Sequence, residues 1–265
     1  MTARFTEEEL IRAIETSYYD DISALCTGIP GSFCRREPDM IIYFTGLPIP
    51  LFNGILDPRF SSRGLSKRAE SAMSYFKSKR VPMRWVLGPS SAPSGLEGFL
   101  LEKGMISEPT IPGMAIDLKV VENEPLPSGL EIQPVEDMKS LINLIDILAE
   151  AFEFPEQTRR GWGDIIKELW RESNFNWFLG ILNGVPVATS LLVLHQEVAC
   201  IYMVATLKEA RGKGIGSAIT REPLLLAKNA GYDVAVLEAS ELGLPVYERL
   251  GFRRVCEFRI LTWKP

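Results

Sequence analysis

Apolar and polar positions along this chain follow two rhythms, and each predicts an element. Leu10, Ile11 and Ile14 recur at helical spacing behind Thr6 and Glu9, whose separation fits a capping box. Residues 26–38 are rich in Gly and Pro and read as a loop. The short apolar runs 40–45 and 51–56 read as strands joined by Gly46-Leu-Pro-Ile-Pro50. After a polar loop over 57–64, Ala69, Ala72, Met73 and Phe76 mark one face of a helix over 65–80. A strand over 81–87, a turn over 88–95, a short helix over 96–103 and a strand over 113–118 complete this half. The polar, proline-bearing stretch 121–129 predicts a linker.

Beyond it the rhythms repeat. A strand is expected at 130–134. A helix follows over 135–151, with a stripe at Met138, Leu141, Ile142, Ile145 and Leu148. A second helix over 155–171 carries Trp162, Ile165, Ile166, Leu169 and Trp170. Glu153, Phe154 and Trp162 are candidates for an acceptor site at the corner between these helices. Two strands, 175–182 and 185–194, flank Asn183-Gly184, a strong hairpin signal. His195 falls at the next hairpin tip, before a strand over 197–206. A glycine loop, a helix to about Gly231 and a strand over 233–238 come next. A short helix begins at Pro245 and ends at Gly251, and strand material over 253–263 closes the chain. Pro223 lies inside the longer helix and predicts a kink.

At 265 residues, two domains are the natural expectation: 1–120, then 130–265 after the linker. The net charge of −5 argues against a nucleic-acid partner. The chain has no apolar run of membrane-spanning length and no signal-peptide pattern at its start. Cys26, Cys34, Cys200 and Cys256 form no Cys-x-x-Cys pair, and His195 is the single histidine, so no metal site is expected. Reduced thiols in a cytoplasmic protein are the expectation. Exposed edge strands admit a homodimer.

The chemistry concentrates where the strand Ile201–Thr206 breaks into Arg211-Gly-Lys-Gly-Ile-Gly-Ser217 and resumes as a helix. Glycines here let the backbone approach a ligand closely. The first turn of the helix offers unpaired N–H groups and the positive end of the dipole, a site for phosphate. Arg211 and Lys213 add charge. A Walker loop fails, because Leu207 occupies its first glycine position and Gly214 follows Lys213. A dinucleotide fingerprint fails on spacing and on its place in the chain.

The Arg-x-x-Gly-x-Gly pattern after a strand ending Val204-Ala-Thr206 resembles the acyl-CoA loop of the Gcn5-related N-acetyltransferase (GNAT) family. Val246-Tyr-Glu-Arg-Leu-Gly-Phe252 resembles that family's second signature. The order β-α-α-β-β-β-α-β-α-β over 128–265 matches its fold. The resemblance implies an α/β (α+β) protein with a mixed, mostly antiparallel splayed sheet flanked by helices. The first half echoes the order of the second, and Leu101-Glu-Lys-Gly-Met105 echoes Glu248-Arg-Leu-Gly-Phe252. It keeps one glycine of the loop, which points to a truncated, degenerate copy.

What the resemblance implies for function is transfer of an acetyl group from acetyl-CoA to an amine of a small-molecule or peptide acceptor. The cofactor would lie along Val204, Ala205 and Thr206, and on Arg211, Gly212, Lys213, Gly214, Ile215, Gly216 and Ser217. Ser240 would bond it or cap the short helix. Tyr247 would be the general acid for the leaving thiolate. Glu153, Glu197 and Glu238 fall nearest the expected cleft, but none stands out as a base, and a water relay dispenses with one. A non-catalytic acyl-CoA-binding or regulatory module is the alternative.

Overall fold

The computed structural model describes residues 5–265. The first helix, α1 (Glu7–Ala24), opens with the capping box expected from the sequence. Glu9 N–H donates to Thr6 Oγ1 and Thr6 N–H to Glu9 Oε2, which holds the Glu9 carboxyl below its ordinary range. Then come β1 (Phe33–Glu37), β2 (Met40–Phe44), β3 (Asn53–Leu56), α2 (Leu65–Lys79), β4 (Met83–Leu87), α3 (Leu96–Glu102), β5 (Ile106–Ser107) and β6 (Ile111–Asp117). The remainder is β7 (Leu130–Pro134), α4 (Met138–Ala151), α5 (Glu156–Leu169), β8 (Phe175–Leu182), β9 (Val185–Leu194), β10 (Ala199–Thr206), α6 (Ile215–Asn229), β11 (Val234–Glu238), α7 (Leu244–Leu250) and β12 (Arg253–Trp263).

The chain divides into two compact units. The larger holds Gly113–Val255 and, of the described amino-terminal residues, 5–14; the smaller holds Glu15–Pro112 and Cys256–Pro265. In the larger unit the strands run β6-β11-β10-β9-β8-β7, with β10 and β11 parallel and every other neighbouring pair antiparallel. Its core joins Met114, Ile116 and Leu118 to Leu192, Ile201, Ile219, Leu237 and Phe252. In the smaller unit β1, β2, β3 and β4 follow one another. The β3–β4 pair is parallel, and β12 lies antiparallel to β4. Met40, Ile55, Phe76, Trp85 and Leu261 pack its core.

Both units share one plan: a strand, a loop, a helix, a parallel strand, then a short helix. In each, the antiparallel neighbour of that parallel strand comes from the other half of the chain. β6 precedes the linker region yet pairs with β11. The far end of β12 follows α7 yet pairs with β4. The expected division at 121–129 therefore does not match the compact units. That stretch lies inside the larger unit, strapped to α6. Arg221 Nη1 donates to Glu124 Oε2 at 2.6 Å, and Lys228 Nζ donates to Val121 O at 2.7 Å.

Other expectations shift locally. Residues 33–37 form β1 rather than loop, because the edge pairing with β2 outweighs a polar run, Phe-Cys-Arg-Arg-Glu, with no apolar stripe. α4 begins at Met138, not Val135, because Asp137 caps it by accepting from Ser140 N–H at 2.7 Å. Its buried face uses Leu144 and Ile147, while Met138 and Ile142 are half exposed. Pro155 caps α5 from outside rather than starting its first turn.

Candidate functional site

The site arises where β10 and β11 part. Their parallel pairing covers only Ala199↔Ala235 and Cys200↔Val236. On its other edge, β10 stays paired with β9 as far as Thr206. Between the pairs Tyr202↔Leu191 and Ala205↔Thr189, β10 carries one residue more than β9, so it bulges. Met203 sits at the bulge with φ 49°, a left-handed conformation uncommon for a side-chain-bearing residue. Its carbonyl accepts a hydrogen bond from buried Thr189 Oγ1 at 2.8 Å. A cleft of about 520 Å³ opens beside this strand, lined by Val204, Ala205 and Thr206 on one wall.

The far end of the cleft is the glycine loop. Arg211, Gly212, Gly214, Ile215, Gly216 and Ser217 all line it. Gly214 stands before the first residue of α6 with φ 77°, which glycine adopts at no steric cost. A Cβ at Gly216 would make only ordinary contacts, with Thr206 Oγ1 and Val246 Cγ1 at 3.9 and 4.0 Å. The protein's own packing does not demand glycine there, so the bare backbone forms a cradle that a Cβ would begin to fill. The N–H groups of the first turn of α6 lack intrahelical partners, and the helix dipole favours an anion beside them. Among the lining residues the charged side chains are Arg211 and Arg249, both cationic. Lys213 departs from expectation: it does not line the cleft, and its Nζ donates to Glu209 O at 3.0 Å.

At the other end stands Tyr247, on a helix that Gly251 (φ 101°) terminates. Its side chain is 7 % exposed, packs edge-on to Phe252, and lines the cleft. Burial pushes its phenol up to about 12. Gly243 makes room for the ring, since a Cβ there would lie 2.7 Å from Tyr247 Cε2. Ser240 lines the cleft, and its Oγ accepts from Gly243 N–H at 3.1 Å just ahead of the short helix. Ala151, Phe152, Leu242, Val246 and Arg249 also line it, and sequence reading missed them. Phe152 and Leu242 carried a signal, being large apolar residues at an element end and in a loop.

The remaining candidates lie elsewhere. Phe154 and Trp162 are buried against each other, with ring centroids 5.3 Å apart, and belong to the core rather than to an acceptor face. Glu153 and Glu197 are exposed, Glu238 sits at the end of β11 opposite Gly113, and none of the three lines the cleft. The His195 carbonyl accepts from the Tyr232 hydroxyl at 2.8 Å, a structural contact at a turn.

This geometry, a sheet splayed beside a bulged strand with a glycine loop feeding a helix, defines an acyl-CoA N-acyltransferase fold. Residues 141–252 match the family described as Acetyltransferase (GNAT) family. A mycothiol acetyltransferase from Actinosynnema mirum is 30% identical over 146 residues, covering 50% of this chain and 48% of that protein. The match spans less than half the length of the curated relatives found. A GCN5-related N-acetyltransferase from Kribbella flavida shares the fold with TM-score 0.73 at 17% identity, covering 96% of this chain and 95% of that one. A tandem GNAT protein from the clavulanic acid biosynthesis pathway does so with TM-score 0.62 at 12% identity, covering 94% of each. Among the described residues, no helix is long and apolar enough to cross a membrane.

Proposed function

We propose that this protein is an acetyl-CoA-dependent N-acetyltransferase acting on an amine of a small-molecule or peptide acceptor. The observation that carries the reading is the cleft itself. One continuous groove joins an anion-binding helix start, an open strand edge and a buried tyrosine, and its charged lining is wholly cationic. The α6 start and Arg211 would hold the pyrophosphate of the co-substrate. The open edge of β10 at Val204 and Thr206 would bond the pantetheine amides as a neighbouring strand does. Anchoring so far from the reacting carbon lets binding energy orient the thioester.

The transfer balances simply. The neutral amine nitrogen forms a bond to the thioester carbon, the C–S bond breaks, and the proton lost by nitrogen compensates the one gained by sulfur. A backbone N–H at the bulge of β10 stabilises the oxygen as it becomes negative. Tyr247, held protonated by its burial, donates a hydrogen bond to the sulfur as the bond breaks. Full transfer from a phenol near 12 to an ordinary thiolate is uphill, but the same apolar surroundings raise the thiol and narrow that gap. The four free cysteines fit a reducing, cytoplasmic setting.

Calorimetric titration of the full chain with acetyl-CoA, beside ATP and NADH, tests the reading. Selective binding of acetyl-CoA is expected, followed by thiol release when amines are screened. A folded protein that ignores acetyl-CoA would overturn it. Binding without turnover on any amine would favour a non-catalytic acyl-CoA module instead, the reading suggested by the absence of Glu153, Glu197 and Glu238 from the cleft lining.

A further inference from the structure

We infer that Thr189, on β9, is a positioning residue for acyl transfer: its hydroxyl holds the Met203–Val204 peptide so that the Val204 N–H faces the thioester carbonyl. The inference deepens the acetyltransferase reading and rests on it. β9 is apolar through Val187 and Ala188 and again from Leu191 to Val193, yet Thr189 and Ser190 interrupt it, both fully buried. A buried hydroxyl is costly without a partner. Thr189 Oγ1 donates to Met203 O at 2.8 Å, on the bulge residue with φ 49°. That carbonyl therefore points toward β9.

The peptide bond following Met203 is planar and trans, so its C=O and N–H point in opposite directions. Fixing Met203 O against β9 turns the Val204 N–H the other way, to the side where the pairing of β10 with β11 has ended at Cys200. Val204 lines the cleft on that side. The hydroxyl acts twice. It replaces a ladder hydrogen bond that the bulge displaces, and so restrains a peptide in an uncommon conformation. It also polarises that peptide, which strengthens the opposite N–H as a donor. Thr189 itself lies on the neighbouring strand, paired with Ala205, and does not line the cleft.

The test uses acetyl-CoA labelled with ¹³C at the thioester carbonyl, bound to the full chain and read by isotope-edited difference infrared spectroscopy. Wild type is expected to lower the carbonyl stretch of the bound thioester relative to free acetyl-CoA. Thr189→Val keeps the branched shape and removes the donor. It should lose about half of that shift or more. Its calorimetric affinity should stay within about threefold, because the anchor at α6 is untouched. Thr189→Ser restores the hydroxyl and should restore the shift.

A Thr189→Val protein that binds acetyl-CoA and keeps the wild-type band would overturn the inference, as would a Thr189→Ser protein that loses it. Thr189→Ala stands in should the valine variant not fold. Failure of both to fold would show a purely structural role and overturn it too. Wild type that binds without lowering the stretch overturns this inference alone, and wild type that does not bind overturns the acetyltransferase reading and this inference with it.

Discussion

At the scale of single residues, Tyr247 is where burial and chemistry meet. Its phenol is raised from its ordinary value to about 12 because the apolar surroundings oppose the phenolate. Throughout the neutral range it is therefore protonated and able to donate. Tyr247→Phe should bind acetyl-CoA as wild type does yet turn over an amine roughly 10²-fold more slowly, the low end for loss of a positioned acid. Undiminished thiol release under saturating substrates would remove Tyr247 from the chemistry. The same group makes a separate mark on stability. A tyrosine that ionises near 10 when unfolded but near 12 when folded stabilises the protein fully below pH 10. It loses that contribution as pH rises toward 12, about 3 kcal/mol over two units. Tyr43, fully buried and also raised to about 12 by desolvation, adds to the same alkaline loss. Urea midpoints between pH 8 and 11 should fall more steeply for wild type than for Tyr247→Phe.

At the scale of elements, α6 shows how one awkward residue is accommodated. Pro223 has no amide hydrogen, so it cannot donate to Ile219 O one turn earlier. Ser190 Oγ, from β9 beneath, donates to that carbonyl at 2.7 Å. Ser190→Ala should then cost about 1–3 kcal/mol by leaving a buried carbonyl without its donor. Pro223→Ala supplies a backbone N–H, and in that background Ser190→Ala should cost much less. Equal costs in the two backgrounds, measured by denaturant unfolding, would show that Ser190 matters only for packing. The missing hydrogen bond was legible from Pro223 alone; its remedy was not, because Ser190 and Ile219 meet only through the tertiary fold. The same division runs through the molecule. Asn183-Gly184 marked its hairpin because both residues take positive φ, 49° and 83°, a local requirement. The glycine loop and Tyr247 were legible for the same reason, as short motifs with local geometry. The bulge at Met203 was not, because it depends on the register between β9 and β10. β1 was missed because edge pairing alone selects it, and Lys213 was misplaced because a side chain's direction is not set by its charge.

At the scale of the whole molecule, the chain order and the compact units disagree, and that has a consequence for cutting the protein. A fragment of residues 130–265 looks natural from sequence, since it holds both motifs and the matched domain. It would lack β6, the antiparallel neighbour of β11, and with it Met114, Ile116 and Leu118 from the core around the cleft. Each such side chain contributes about 1.5–3 kcal/mol when fully buried. Together they approach the whole stability of a domain, about 5–15 kcal/mol. The fragment would also keep Phe258, Ile260 and Leu261, which are buried among residues of the smaller unit in the intact chain and would have no core to enter. Moving the cut to 113–255 reverses both faults: β6 is present and the apolar end of β12 is gone. The 130–265 fragment is expected to aggregate or to unfold without cooperativity. The 113–255 fragment should unfold cooperatively in urea, though less stably than the full chain, because it omits residues 5–14, which belong to the same unit. Soluble, cooperative folding of 130–265 with full acetyl-CoA affinity would show that β11 needs no neighbour from the first half, and that the two halves are independent after all.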